Sequence, residues 1–284
     1  MKRSISPLRY PGGKASIFSM TNDIIESHGY VGGQYIEPYA GGCGLALTLF
    51  FKGVVSELHL NDIDRSIWAL WHSILNDTNR LVSRLREIPI NMDEWYRQKE
   101  IQDNKEKSEV LDLAVSTLYL NRTNRSGIIK AGVIGGKKQD GNYKMDCRFN
   151  RERLAEQIIH ISKSSSKISF HNMDAVDFID YIEGLSLNNP ILMVDPPYYN
   201  KGQSLYTNFY KHDDHANIAD KLKETSLPWL LTYDNTPEIS ELYSDFSQYH
   251  FSINYSAARK RIGTELLITS RDFNVIKHDL LNIA

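Results

Sequence analysis

The chain has 284 residues, 41% of them hydrophobic and 24% charged, with two more acidic than basic side chains. These values exclude wholesale disorder and a globally basic nucleic-acid binder, and the length suits one large domain or a core with an insertion. Two cysteines, Cys43 and Cys147, give no disulfide framework.

No histidine or cysteine spacing suits a metal ion. No apolar run reaches the about 18 residues of a membrane span. The opening MKRSISPLRYPGGK is basic and lacks the apolar stretch of a secretory signal, so a cytoplasmic setting is expected.

In chain order, Pro11-Gly12-Gly13-Lys14 reads as a glycine turn and residues 15–30 as a helix. Gln34 to Glu37 reads as a short strand broken by Pro38. Gly41, Gly42 and Gly44 follow, and then an apolar helical run from Leu45 to Phe51. Strand, glycine turn, helix is the opening unit of a nucleotide-binding α/β fold. Val55 to Leu60 reads as a second strand ending at Asn61-Asp62, with a helix starting near Ser66.

The middle of the chain differs. Residues 71–120 read as charge-rich helices. Segment 121–151 reads as irregular, with five glycines suggesting loops or a hairpin. It carries a net charge of +6 from Arg122, Arg125, Lys130, Lys137, Lys138, Lys144, Arg148 and Arg151 against Asp140 and Asp146.

The α/β rhythm then resumes. A helix is predicted over 152–163 and a strand from Lys167 to His171, ending in Asn172-Met173-Asp174. Ile191 to Val194 is wholly apolar, as in the middle of a parallel sheet. Trp229 to Tyr233 and Ser252 to Tyr255 read as strands, and Leu266 to Thr269 as the last one. Arg259, Lys260 and Arg261 form a basic run before it.

Five features carry chemistry. Asp195-Pro196-Pro197-Tyr198 ends an apolar strand, at the edge where open parallel sheets bind ligands. Proline there removes backbone donors, so the segment presents a carboxylate and carbonyls. An exocyclic aromatic amine, whose lone pair is delocalised into its ring, suits two such acceptors. The Asp195 carboxylate and the Pro196 carbonyl can hold both N–H groups and free the lone pair. Tyr198 can stack on the base, a contact worth about 1–3 kcal/mol. A bare Asp-Pro-Pro is mostly a turn; the aromatic after four apolar residues points to function.

The second feature is Glu37-Pro38-Tyr39-Ala40-Gly41-Gly42-Cys43-Gly44, whose glycines allow close backbone approach at a helix N-terminus. The third is Asp62, placed to bind ribose hydroxyls of an adenosine-bearing cofactor. Its plainer reading as a helix cap goes to Asp64 instead. The fourth is Asp174, which could accept from the amino group of the cofactor's adenine or cap a helix. The fifth is the basic segment 121–151 with Arg259 to Arg261, suited to phosphates, with Asn121, Asn124 and Asn142 available for base edges.

Together these residues resemble, over nearly the whole chain, the Dam-like DNA adenine methyltransferases. That family's order is cofactor loop, inserted target-recognition region, then the catalytic tetrapeptide found here at Asp195 to Tyr198. Asn61-Asp62 and Met173-Asp174 fall where the family has its ribose and adenine carboxylates. Cys43 stands where it usually has glycine.

The resemblance implies a Rossmann-like class I methyltransferase sheet with helices on both faces. Residues 1–70 and 152–284 would form the catalytic domain and 71–151 an inserted, mostly helical recognition subdomain. It implies S-adenosyl-L-methionine as cofactor, S-adenosyl-L-homocysteine as product and no metal. The implied cofactor-binding set is Tyr10, Lys14, Glu37, Pro38, Tyr39, Gly41, Gly42, Asp62, Ile63, Asp174, Ala175 and Asp195.

Arg122, Asn124, Arg125, Lys137, Lys138, Lys144, Arg259, Lys260 and Arg261 would meet double-stranded DNA. Thr232-Tyr233-Asp234-Asn235 resembles the family's DNA-facing C-terminal part. The target adenine would be flipped from the duplex. One chain suffices for one strand, and a cognate restriction endonuclease is a conceivable partner in a bacterial or phage setting on the nucleoid. The alternatives are an RNA adenine methyltransferase and a non-catalytic DNA-binding protein with a vestigial cofactor site.

Overall fold

Glycine turns and apolar runs punctuate the chain much as its pattern suggests. The computed structural model describes residues 5–9, 14–199, 211–255, 261–273 and 281–283. Tyr10, Pro11 to Gly13, Arg259 and Lys260 lie outside the described residues, as does the side chain of Arg261. The expected helix over 15–30 is a single 3-10 turn, Lys14–Ile17, followed by α1 (Phe18–Ser27). Strand β1 (Gln34–Glu37), helix α2 (Gly44–Phe51) and strand β2 (Glu57–Asn61) follow. Then come α3 (Arg65–Asn76), α4 (Thr78–Glu87), α5 (Met92–Asp103), α6 (Val110–Thr123) and α7 (Arg151–Ser162). The chain continues through β3 (Ile168–His171), α8 (Ala175–Glu183), β4 (Ile191–Val194), α9 (His212–Glu224) and β5 (Trp229–Asp234). It ends with α10 (Pro237–Leu242), β6 (Ser247–Tyr255), β7 (Arg261–Thr269) and β8 (Leu281–Ile283).

The chain divides into two compact units. One holds residues 14–40, 45–62 and 173–284. Its strands run in the order β2-β1-β4-β5-β7-β6-β8. β1 pairs in parallel with β2 and β4, and β4 with β5. β7 and β6 extend the sheet antiparallel, and β8, which the sequence pattern did not reveal, pairs antiparallel with β6. β4 and β5 are buried along their whole length, which accounts for the wholly apolar composition of β4. One face of this sheet meets α8 and α9 through Ile36, Leu192, Val194, Leu231, Tyr233, Leu266 and Ile268 against Phe178, Ile182, Ile218 and Leu222. The chain order reverses at β1, flanked by β2 on one side and β4 on the other; such a switch point is where open α/β sheets bind ligands.

The other unit holds residues 63–172 with 1–13 and 41–44. It is wider than the insertion expected over 71–151, because α3 and β3 belong with its helices. Its central helix is α6, buried along nearly all its length from Leu111 to Thr123. Ser116 Oγ donates to the Gln98 carbonyl of α5 and Thr117 Oγ1 to the Ser66 carbonyl of α3, tying the three helices together. In place of a hairpin, segment 121–151 has one isolated antiparallel bridge, Asn124 with Val133, and short 3-10 turns.

Asp64 caps α3 as its spacing predicts: its Oδ1 accepts from Ser66 N at 2.9 Å and pairs with Lys105 Nζ at 3.0 Å. Asp64→Ala is expected to lower unfolding stability by about 1–2 kcal/mol, read as a lower urea midpoint at unchanged slope. An unchanged midpoint would show that the cap contributes nothing.

Candidate functional site

Strand register brings the site together. Tyr35 pairs with Ile191 and Ile36 with Leu192, so the ends of β1 and β4 lie side by side. Val194 pairs with Leu231, and Thr232 and Asp234 pair with Leu267 and Glu265. Alternation along each strand then sorts the side chains. Ile36, Val194, Leu231 and Leu266 point into the apolar core against α8 and α9. Their sequence neighbours Glu37, Asp195, Thr232 and Glu265 project to the opposite face.

There they surround one cation. Lys14 Nζ lies 3.0 Å from Asp195 Oδ1 and 3.0 Å from Glu265 Oε2. Thr232 Oγ1 donates to the same Asp195 Oδ1 at 2.9 Å. The Tyr198 hydroxyl donates to Glu265 Oε1 at 2.5 Å and accepts from Lys14 at 3.4 Å. Lys14, Glu37, Thr232 and Glu265 are all buried, and Tyr198 is 2% exposed. Both donors to Asp195 converge on Oδ1, and among the described residues no hydrogen-bond donor to Oδ2 is found. Just beyond the tetrapeptide, Tyr199 N donates to Asp234 Oδ1 at 2.9 Å.

The electrostatics are unbalanced. Among the described residues, Lys14 pairs with Asp195 and Glu265 and attracts Glu37 at longer range, while Asp62 adds negative charge around Glu37. Burial pushes the Asp195 carboxyl above its ordinary range; Lys14 opposes the shift and Glu265 adds to it. Burial raises Glu37 further, well above the usual carboxylate range, with Asp195 and Asp62 adding repulsion that Lys14 only partly offsets. Glu37 Oε2 is buried with no hydrogen-bond partner among the described residues. An orphaned acidic oxygen in an acid-rich enclosure is a place for a cation or a donor, because unpaired buried polar atoms are otherwise costly.

Asn61 organises the adjoining strand ends. Its Nδ2 donates to the carbonyls of Pro38 and Met173, each at 3.0 Å, and its Oδ1 accepts from Met173 N at 2.9 Å. Its own carbonyl accepts from Ala40 N. One amide therefore fixes the segments carrying Tyr39, Asp62 and Asp174. Asp62 is half-buried. Asp174 is exposed and caps α8, its Oδ1 accepting from Val176 N at 2.9 Å, while Ala175 is buried. Asp174 thus takes the capping role.

In the other unit, Gly41 and Gly42 are buried, and Ile63 is exposed. Gly41 has φ 45° and Cys43 φ 51°. The left-handed region suits glycine and costs another residue about 1–2 kcal/mol, so Cys43 holds a backbone conformation that glycine would adopt more readily. Trp71 Nε1 fixes the turn by donating to the Gly41 carbonyl at 2.9 Å.

The basic segment separates into inner and outer residues. Asn124 is fully buried; its Oδ1 accepts from Trp95 Nε1 at 2.7 Å and its Nδ2 donates to the Ile128 and Ile129 carbonyls. Asn121 is likewise buried and bonds the Arg9 backbone at both N and O, and the Gly127 carbonyl. Arg122 donates to the Pro7 carbonyl, and burial lowers its pKa to about 10. These three therefore hold segment 5–9 and the 124–134 loop, and the two asparagine amides engage their donors with backbone carbonyls inside the fold. Arg125, Lys137, Lys138 and Lys144 are exposed. Thr232, Tyr233 and Asp234, expected to face DNA, are buried behind the tetrapeptide.

Thr232, Asn61 and Glu265 were not assigned these roles from the sequence. Glu265 had one signal, an acid inside the apolar strand Leu266 to Thr269 extends. Among the described residues no cluster of His, Cys, Asp and Glu suits a metal ion, and no helix is long and apolar enough to cross a membrane.

Residues 10–259 match the family model described as D12 class N6 adenine-specific DNA methyltransferase. Among curated proteins no significant match to the chain was found.

The Glu37 shift has a testable sign. A carboxyl whose folded pKa is raised stabilises the fold below its unfolded pKa, and that contribution is lost as pH rises through the folded value. Glu37→Gln, neutral and isosteric, should therefore be more stable than the parent at pH 8 and lose that advantage as pH falls toward the ordinary carboxylate range. Urea unfolding between pH 8 and pH 5 measures the difference. A gap that widens on acidification contradicts the assigned shift.

Proposed function

The chain belongs to the D12 class of N6 adenine-specific DNA methyltransferases, and from that premise we propose how its residues divide the work. The family acts on adenine in DNA and uses S-adenosyl-L-methionine. When bound, that cofactor supplies an electrophilic methyl group on a sulfonium centre. The fit rests on the acid-rich enclosure: Glu37, with its orphaned Oε2, suits the positively charged end of such a molecule. Asp62, held by the Asn61 clamp, suits the ribose hydroxyls, and Asp174 with Ala175 the adenine end.

The observation that carries the catalytic assignment is the asymmetry of Asp195. Oδ1 is held by Lys14 and Thr232, so the carboxylate is fixed in orientation while Oδ2 stays available. Oδ2 and the Pro196 carbonyl then accept the two N–H groups of the adenine amino nitrogen and leave its lone pair for attack. Such positioning is the larger part of catalysis where the leaving group is already good. Burial also raises the affinity of Asp195 for a proton, which suits an acceptor of the amino hydrogen.

Lys14 acts on this reading as the cation that keeps Asp195 and Glu265 tolerable in one enclosure. It is 4% exposed and engaged by both acids, so it is assigned to charge balance rather than to the cofactor itself. Tyr198, tied through its hydroxyl to Glu265, holds the tetrapeptide in place; we favour that over the base-stacking role. The adenine must leave the duplex to reach Oδ2, since its amino group is otherwise paired within the stack. One chain carries the complete set of residues invoked.

Methyl transfer to DNA from labelled cofactor tests the assignment. Asp195→Ala should lower kcat by at least about 10³-fold while cofactor binding persists. Thr232→Val removes one anchor of Oδ1 and should lower kcat about tenfold, the equivalent of one hydrogen bond, with KM for DNA little changed. Substantial activity in Asp195→Ala would sink the role of Oδ2. A Thr232→Val enzyme with parental kcat would show that the orientation of Asp195 has another source.

A further inference from the structure

The tetrapeptide is held before and after its two prolines by a single strand. Pro196 and Pro197 have no N–H, so this stretch cannot fix itself by donating to a sheet ladder. Its holds come from side chains of β5 instead. Thr232 Oγ1 donates to Asp195 Oδ1 at 2.9 Å. Two residues further along the strand, Asp234 Oδ1 accepts from Tyr199 N at 2.9 Å. Residues two apart on a strand share a face and lie about 7 Å from each other, which lets one strand reach both sides of the proline pair. β5 is itself anchored, since Thr232 pairs with Leu267 and Asp234 with Glu265 on β7. Both side chains are buried. Asp234 is not needed as a helix cap, because Thr236 caps α10 by accepting from Ile239 N.

Tyr199 is gripped a second time by the first turn of α9. Its ring lies 4.9 Å from that of His215, and its hydroxyl lies 3.0 Å from His212 Nδ1. His215 is buried, with Nδ1 2.5 Å from the Tyr233 hydroxyl, so β5 also fastens the helix that grips Tyr199. This arrangement constrains the Pro196 carbonyl. A carboxylate can be oriented by a donor to one of its oxygens, as Thr232 does for Asp195. A main-chain carbonyl turns only with its backbone. Proline fixes φ near −65°, so with Asp195 held ahead of the pair and the Tyr199 N–H held behind it, few torsions remain by which this carbonyl can swing. The amino group needs its two acceptors at a set separation, and a misplacement of about 1 Å can cost about a hundredfold in rate.

We infer that Asp234 is a positioning residue for methyl transfer: through the Tyr199 N–H it sets the Pro196 carbonyl, the second acceptor of the adenine amino group, as Thr232 sets the Asp195 carboxylate. The inference rests on the roles proposed above for Asp195 and Pro196. It gives Asp234 a part in the chemistry, away from the DNA surface that the family resemblance suggests for it.

The test is steady-state methyl transfer from labelled S-adenosyl-L-methionine to unmethylated duplex DNA by the full chain, comparing the parent with Asp234→Leu, Asp234→Asn and Asp195→Ala. Leucine is of similar size and accepts nothing, whereas asparagine keeps an acceptor oxygen. Asp234→Leu should lower kcat at least about tenfold, as expected for one hydrogen bond to a charged group, with KM for DNA and cofactor affinity within about twofold of the parent. Asp234→Asn should recover kcat to within about threefold of the parent. Parental kcat in Asp234→Leu, equal losses in the leucine and asparagine variants, or lost cofactor binding in either overturns the inference; an inactive Asp195→Ala then leaves the reading of the site standing. Substantial activity in Asp195→Ala overturns that reading and the inference with it. If Asp234→Leu does not fold, hydrogen exchange decides: the Tyr199 amide should be protected in the parent and in Asp234→Asn, and exchange as fast as in an unstructured peptide overturns the inference.

Discussion

One lysine among buried carboxyl groups is the constraint on which the rest of the site depends. An ionised carboxylate taken from water without a partner costs several kcal/mol. Lys14 answers that cost for Asp195 and Glu265, and Thr232 and Tyr198 satisfy further lone pairs of the same two acids. Glu37 is left outside the arrangement, with an unmatched oxygen and a carboxyl pushed upward. Apolar residues of the same size would make a more stable sheet edge. Keeping an acid excess there is intelligible as a preference for a bound cation, whose binding energy returns to the fold by linkage.

How much of this was legible in the sequence depends on whether a role is local. Asp195 to Tyr198 could be read because the strand end and the tetrapeptide are contiguous, and Asp64 because a cap needs only the next two residues. Glu265 and Thr232 could not, since their roles arise from β5 pairing antiparallel with β7 and parallel with β4, which no short window contains. The alternation along each strand was visible, but without the partner it did not say which acids would meet. The expected boundaries of the insertion, 71 and 151, followed a change in composition. The compact unit follows the helices packed on α6 and so takes in α3 and β3 as well.

The asparagines of the basic segment show the opposite failure. Asn121 and Asn124 lie among arginines, and amides there suggest base edges. In the fold both amides are buried, and each satisfies backbone groups of an irregular loop that has almost no ladder of its own. A loop rich in glycine must find partners for its N–H and C=O groups somewhere, and side-chain amides offer a donor and an acceptor together. Composition does not separate an amide that reads a partner from one that holds a loop; burial does.

A near-neutral chain can still act on DNA because its two excesses are kept in different dielectric settings. The surplus acid lies on a buried sheet edge, close to Lys14, where its influence is strong on a bound molecule and weak beyond. The surplus base lies on exposed turns such as 134–145, where it acts over about 10 Å at 0.1 M salt and falls away as salt rises. Summing the charges cancels these two contributions, although they never act on the same ligand. On the proposed reading, one chain would attract a polyanion at its surface and hold a cationic cofactor in its interior, and only the distribution of charge, not its total, would bear on either task.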